Sequence, residues 1–337
     1  MIRVSAGIIR RADGRFLICR RGEGRNSAHL WEFPGGKQES GETAEDCLAR
    51  ELLEELNLPI RNAHTVKTQE NGGIVFDFVS CETDAEPTLT EHEAYAWVTA
   101  RDMLKFTFCP ADTEIAAQLA LNSPKLTAFF WDFDGTLMDT YPPLVRVMLQ
   151  AVARVGGTAT PEHVLDLMKD NLRHAIKTVG EENGMTFEDF NVIFREEELS
   201  ITPDEILPLP GVPEMLRTLK ERGGRHFLLT HRNGLAWEYL EHAGLKNLFT
   251  GGVTMEDNFP RKPHPESMTY LMHRYGVSPE EAVMVGDRPL DTGAGRNAGT
   301  ISCLLDTEGR FPKDPAEIRV SDSRMLLSAL APEDLHL

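Results

Sequence analysis

The chain has 337 residues, 41% hydrophobic and 26% charged, with a formal charge of -18, a length that suits two domains and a composition typical of a folded soluble protein. The acidic excess argues against binding a nucleic-acid polymer through its backbone, which needs clustered Lys and Arg, yet leaves room for a nucleotide whose phosphates a metal neutralises. No window approaches about eighteen consecutive apolar residues, so no membrane span is expected.

Arg3, Arg10 and Arg11 near the start are not followed by a long apolar stretch, so no signal peptide is expected. The five cysteines (Cys19, Cys47, Cys81, Cys109, Cys303) are scattered without CxxC spacing, the pattern of buried reduced thiols in a cytoplasmic protein.

In chain order, residues 2–9 and 15–19 alternate apolar and polar around Asp13-Gly14, which predicts a hairpin. Ala44, Cys47, Leu48, Leu52 and Leu56 have helical spacing and predict a helix over 43–56. Strand-like runs follow at 74–79 and 94–98, then a helix at 112–121. This first domain, 1–122, is an α+β unit with a mixed sheet. Asn122-Ser123-Pro124-Lys125 is a short polar breaker, and a linker is expected over 123–126.

From there the pattern changes to short apolar strands at 126–131, 226–230, 282–285 and 301–305, separated by helices. That alternation predicts a parallel α/β sheet with ligands at the carboxyl ends of its strands. The second domain is expected over 127–337, its Rossmann-like core being 127–140 and 207–331. The helical stretch 141–206 exceeds what a crossover requires and is expected to form an inserted cap.

Glu51, Glu54 and Glu55 stand at i, i+3 and i+4, so a helix puts three carboxylates on one face. Clustered carboxylates repel unless a hard cation lies between them, and oxygen-only ligation suits Mg²⁺ or Mn²⁺. Phe33-Pro34-Gly35-Gly36 supplies a turn that lets backbone approach a ligand. Gly36, Glu42 and Arg50-Glu51-Leu52-Leu53-Glu54-Glu55 together resemble the Nudix box, and the surrounding residues resemble its MutT-like branch, which acts on nucleoside triphosphates. Asn57 stands where that family usually has Gly, a small departure because Asn tolerates the left-handed conformation of a helix C′ position.

The resemblance implies that Gly36 (by its carbonyl), Glu51, Glu54 and Glu55 hold Mg²⁺ while a triphosphate is split to monophosphate and pyrophosphate, with Glu51 and Glu54 among the catalytic groups. It implies phosphate contact by Arg21, base packing by Phe33 and by Phe76 or Phe78, and a further carboxylate at Glu91 or Glu93. Asp112 falls where the branch often carries Asn to read a base; an ionised Asp there favours an edge offering donors, such as that of cytosine, and a protonated one mimics Asn. Equally, Asp112 is placed to cap the helix that follows.

Asp132 and Asp134, in Asp132-Phe133-Asp134-Gly135-Thr136, leave the carboxyl end of an apolar strand. A carboxylate attacking phosphorus needs a cation to offset anion repulsion, and a second carboxylic acid can protonate the leaving oxygen and then activate water. Gly135 and Thr136 make room for the phosphate. With Thr230, Lys262, Asp287 and Asp291, the segment resembles the haloacid dehalogenase superfamily, in particular its phosphoglycolate phosphatase-like members with a helical cap. The resemblance implies that Asp132 is the nucleophile, Asp134 the acid/base, and Thr230 and Lys262 the partners of the phosphoryl group. It also implies that Asp132, Asp134, Asp287 and Asp291 hold Mg²⁺. His231, Arg232, Asn233 and His264 stand close enough in sequence either to touch ligand or to brace loops.

Two hydrolytic devices on one chain predict a bifunctional Mg²⁺ hydrolase whose partners are small-molecule phosphates: a nucleoside triphosphate (oxidised, or CTP), then a small phosphomonoester. A pterin triphosphate needs the same two reactions. A further alternative is a Nudix half that senses a nucleotide and regulates the phosphatase.

Overall fold

A computed structural model describes residues 2–24, 26–122, 125–335 and 337. The chain divides into two compact units, Met1–Lys125 with Ala331–Leu337, and Leu126–Leu330. Two residues of the expected linker, Ser123 and Pro124, lie outside the described residues. The expected second domain ran to residue 337, whereas residues 331–337 group with the first unit. The Leu335 side chain is buried in that unit's core, and the Asn122 side-chain amide donates to the Glu333 carbonyl at 3.1 Å.

The first unit is a mixed seven-stranded sheet with helices. At its centre Ile2–Arg10 and Ile74–Glu82 run parallel from Ile2↔Ile74 to Arg10↔Glu82. The expected hairpin joins Ile2–Arg10 to Phe16–Arg20, and Gly14 takes the positive φ that its turn requires. The Ala44–Leu56 helix begins at Thr43, whose hydroxyl accepts from Asp46 N–H, and ends at Asn57 with φ 48°. Asn57 thus adopts the left-handed conformation its side chain tolerates. Cys47, Leu48, Leu52 and Leu56 point inward from this helix. A second core gathers Phe33, Phe78, Ile115 and Leu119.

The second unit holds a six-stranded sheet in the order Phe249–Val253, Arg225–Leu229, Ala128–Trp131, Ala282–Gly286, Ile301–Leu305, Ile318–Val320. Every neighbouring pair is parallel. Ala128–Trp131, Ala282–Gly286 and Ile301–Leu305 are buried at every residue, the continuous apolar run that a strand covered on both faces needs. Asp132 directly follows the central strand, so it stands at the sheet's carboxyl edge.

Between Met138–Asp139 and Leu207–Pro208, which pair as an antiparallel ribbon, lie four helices: Tyr141–Arg154, Pro161–Asp170, Leu172–Glu182 and Phe187–Glu198. They share a core of their own that includes Val147, Met148, Ile176, Phe190 and Phe194. The inserted helical segment is therefore a packed body.

Candidate active sites

In the first unit, the Gly36 strand lies against the acidic helix closely enough that a Cβ at Gly36 would collide with the Glu51 carboxylate. Arg50 organises the acids: its Nε donates to Glu42 at 2.8 Å, one terminal nitrogen donates to Glu51 at 2.8 Å, and it stands 3.5 Å from Glu54. The bond from Arg50 pulls the Glu42 carboxyl down to about 2. Cys47 Sγ donates to the Gly36 carbonyl at 3.6 Å. Glu55 faces His92, whose Nδ1 is 3.8 Å from Oε2.

Behind this face, Arg21 holds Glu32 at 2.5 Å, and Glu32, Cys109 and Asp112 bring ligand atoms within 4.8 Å of one another. Glu51, Glu54 and Glu55 are not gathered that tightly. Asp112 is buried and accepts from Phe33 N–H; burial first, then Glu32, pushes its carboxyl well above the usual range. It faces inward rather than out over the start of the Thr113–Asn122 helix.

Several expected ligand contacts sit elsewhere. Phe33 and Phe78 are core side chains, 3% and 0% exposed. Their rings meet edge-on at 6.3 Å. Arg21 is committed to Glu32. Glu93 pairs with Arg20 and with His29, which draws it off the acidic face. His92, which the sequence reading passed over, is the buried member of that stretch: its Nε2 is 3.0 Å from Glu32 and its side chain 4% exposed. The available signal was its place between two acids just before a strand.

In the second unit the expected residues converge. Lys262 Nζ donates to Asp132 at 2.6 Å and to the Leu229 carbonyl at 2.9 Å, and lies 2.5 Å from Asp291. Asp132, Asp287 and Asp291 bring ligand atoms within 4.8 Å. Burial, with Asp291 adding to it, raises the Asp132 carboxyl; burial likewise pushes Asp287 up to about 8. Burial alone would also raise Asp134, but Arg232 overrides it and holds that carboxyl low. Thr136 is fully buried, and Thr230 accepts from Arg232 N–H at 3.0 Å. A Cβ at Gly135 would collide with Asp287 and Tyr141, which is why this turn needs glycine.

His231 accepts from Lys262 N–H at 2.8 Å; burial first, then Lys262 and Arg261, lowers its imidazole to about 3. It is a neutral brace for the lysine loop. His264 points away, its Nδ1 accepting from Glu266 N–H at 3.3 Å. Two further neighbours were not foreseen: Tyr141, whose hydroxyl donates to Asp287 at 2.9 Å, and Arg288, 3.8 Å from Asp132 and 3.5 Å from Asp287.

Both sites suit a hard divalent cation. In the second, Asp132 Oδ2 and Asp287 Oδ1 are buried without a hydrogen-bond partner, as oxygens kept for an ion are. In the first, the Gly36 backbone and the Glu51 carboxylate lie in close approach.

Comparison with known proteins agrees with both halves. A family model described as NUDIX domain matches residues 1–119, and one described as Haloacid dehalogenase-like hydrolase matches residues 129–305. The chain is 36% identical over 117 residues to a CTP pyrophosphohydrolase of Escherichia coli, covering 33% of this chain and 86% of that one. It is 28% identical over 198 residues to the pyrophosphatase PpaX of Listeria welshimeri, covering 58% and 90%. A solved hydrolase of the haloacid dehalogenase superfamily from Geobacter sulfurreducens superposes with a TM-score of 0.50 at 20% identity, covering 61% and 96%, a likeness of fold alone.

Proposed function

Because this chain belongs to the haloacid dehalogenase-like hydrolases and carries a NUDIX domain ahead of that fold, we propose that its two hydrolytic sites act on consecutive substrates. The NUDIX half converts a nucleoside triphosphate to monophosphate and pyrophosphate, and the second half removes phosphate from a small phosphomonoester through phospho-Asp132. CTP is the first triphosphate to test, given the named relative.

The observation that carries the reading is the lysine-bridged acid set. Lys262 sits between Asp132 and Asp291 and offsets charge where phosphorus must approach an anion. Asp132 attacks phosphorus, forming an oxygen–phosphorus bond as the ester bond breaks, and Asp134 in its acid form protonates the departing oxygen. Water then attacks the aspartyl-phosphate, Asp134 takes its proton, and Asp132 is released with inorganic phosphate. Thr230 and Thr136 offer hydroxyls to the phosphoryl oxygens.

In the first site Gly36, Glu51, Glu54 and Glu55 would hold Mg²⁺, with Mn²⁺ as a second fit; in the second Asp132, Asp134, Asp287 and Asp291 would do so. Such an ion neutralises phosphate charge and, at the NUDIX site, acidifies water. Arg50 sets the glutamates' spacing, and the inward Asp112, held toward its protonated form, can both donate to and accept from a base.

Pyrophosphate and phosphate release by single variants test the scheme. Glu55→Gln is expected to abolish pyrophosphate release from CTP, and Asp132→Asn to leave a monophosphate that accumulates. If the intact protein releases pyrophosphate but never dephosphorylates the monophosphate it makes, the two sites do not act in sequence.

A further inference from the structure

A cavity of about 440 Å³ opens from the phosphatase site, with Gly135 and Asp287 at its reacting end. It runs between the inserted helices and the core loop that follows Ile301–Leu305. Its walls are mainly apolar, formed by Tyr141, Val145, Leu165, Leu209, Leu305 and Phe311. A cavity of that size holds an organic body well beyond a two-carbon acid.

The charged lining decides what that body is. Lys169 and Arg310 are its cations, and both are already committed. Lys169 pairs with Glu308. Arg310 pairs with Asp166 at 2.5 Å and stands 3.6 Å from Glu308. Asp139 and Glu162 also line the wall. Asp306 is turned to the backbone N–H groups of Arg310 and Phe311, at 2.8 and 3.0 Å. Beyond the reacting end, Glu308 is paired with both cations and Asp306 with Arg319 at 3.2 Å, so Asp139 and Glu162 are the lining carboxylates left facing two cations whose charge is spent.

A substrate with a second anionic group, such as pyrophosphate or 2-phosphoglycolate, would bring that group into an acidic, largely apolar cleft and leave it unpaired. An uncharged planar body meets the opposite conditions: Tyr141 and Phe311 offer aromatic surface, and Asp139 and Glu162 offer acceptors to amino groups. We infer that the phosphatase site takes the phosphomonoester of an uncharged, aromatic-bearing alcohol, of which a nucleoside 5′-monophosphate with an amino-bearing base is the nearest common form. The inference rests on Asp132 being a phosphatase nucleophile and adds the class of leaving group.

The test is a comparison of kcat/KM for CMP, pyrophosphate, 2-phosphoglycolate and p-nitrophenyl phosphate on the intact protein with Mg²⁺. Only turnover lost in Asp132→Asn is counted, which removes any contribution from the NUDIX site. CMP is expected to exceed pyrophosphate and 2-phosphoglycolate by at least ~10-fold, equal to about 1.4 kcal/mol. The double variant Asp166→Asn with Glu308→Gln frees both cations, and should raise kcat/KM for the two anionic-bodied substrates relative to that for p-nitrophenyl phosphate. Pyrophosphate or 2-phosphoglycolate turned over as well as CMP overturns the inference but leaves the phosphatase standing. No Asp132-dependent turnover of any of the four overturns both.

Discussion

Arg232 grips Asp134 with two nitrogens on one carboxylate oxygen, Nε at 3.0 Å and a terminal nitrogen at 2.6 Å. The guanidinium also lies over the rings of Phe133 and Tyr239, so packing fixes its own position. The pair favours the ionised form of Asp134, the state that the proposed reaction needs in its second half to take a proton from water. It opposes the acid form that the first half uses with a poor leaving group.

Removing the guanidinium should therefore slow hydrolysis of the aspartyl-phosphate more than its formation. With p-nitrophenyl phosphate, whose leaving group needs no proton, Arg232→Met is expected to show a burst of p-nitrophenol followed by turnover roughly 100-fold slower than the parent, at the lower end of general-base contributions. Rapid-mixing absorbance reads both phases. A slower burst with an unchanged steady rate per phosphoenzyme would assign Arg232 to the first step instead.

Lys262 is the counterion of two buried acids, and its own side chain is 1% exposed. Lys262→Met leaves Asp132 and Asp291 facing each other without it, a defect of the kind that costs about 3–5 kcal/mol. Urea unfolding of the C-terminal unit should show that loss in metal-free buffer. Added Mg²⁺ should restore part of it in the variant by replacing the missing charge, while activity stays low because the lysine also offsets charge during phosphoryl transfer. Equal Mg²⁺ stabilisation of variant and parent would count against this account.

His226 gives the second unit a pH dependence separate from its chemistry. Its Nδ1 accepts from Trp131 Nε1 at 3.0 Å and its Nε2 donates to the Leu216 carbonyl at 2.9 Å. Burial lowers the imidazole from 6.5 to about 4. The folded state thus keeps it neutral while the unfolded chain binds a proton, so stability is full above about pH 6.5 and falls as pH drops toward 4. The full difference is on the order of 3 kcal/mol. Thermal unfolding from pH 7 to 4.5 should show this decline, and His226→Gln should make it shallower from a lower starting stability, leaving the share that His231 contributes.

Much of both sites was legible because the chemistry is carried by short, ordered segments. Asp132 follows an apolar strand, and Lys262, Asp287 and Asp291 follow in the order a parallel sheet needs to bring them to one edge. The helix glutamates were readable from helical spacing, and Gly36 from its place in the Nudix-box pattern. The partners that bind these groups were harder to see, since Arg232 reaches Asp134 across 98 residues of sequence, Tyr141 reaches Asp287 across 146, and Arg288 stands by Asp132 from 156 residues away. Phe33 was misassigned for a physical reason: an aromatic beside a glycine turn suits a ligand face and a core equally, and packing on Phe78 and Phe108 decided for the core. The return of Leu335 to the first unit left no periodic trace, because one apolar side chain makes no pattern.

His92 joins two parts of the NUDIX site that sequence spacing treats separately. Its Nε2 meets Glu32 of the buried Arg21–Glu32–Asp112 group at 3.0 Å, and its Nδ1 faces Glu55 of the acidic helix at 3.8 Å. A buried ring in that place borders Glu55 on the side away from solvent, where outer partners of metal-binding carboxylates stand. His92→Ala should lower kcat for pyrophosphate release from CTP by about 10-fold with a smaller change in KM, within the range seen when such partners are lost. It should also raise the Mg²⁺ concentration needed for half-maximal rate, whereas His92→Gln, which can still reach Glu32, should keep most of the parent's rate. Steady-state assays across Mg²⁺ concentrations separate the two effects. A fall in stability with kcat and Mg²⁺ demand unmoved would make His92 a packing residue only.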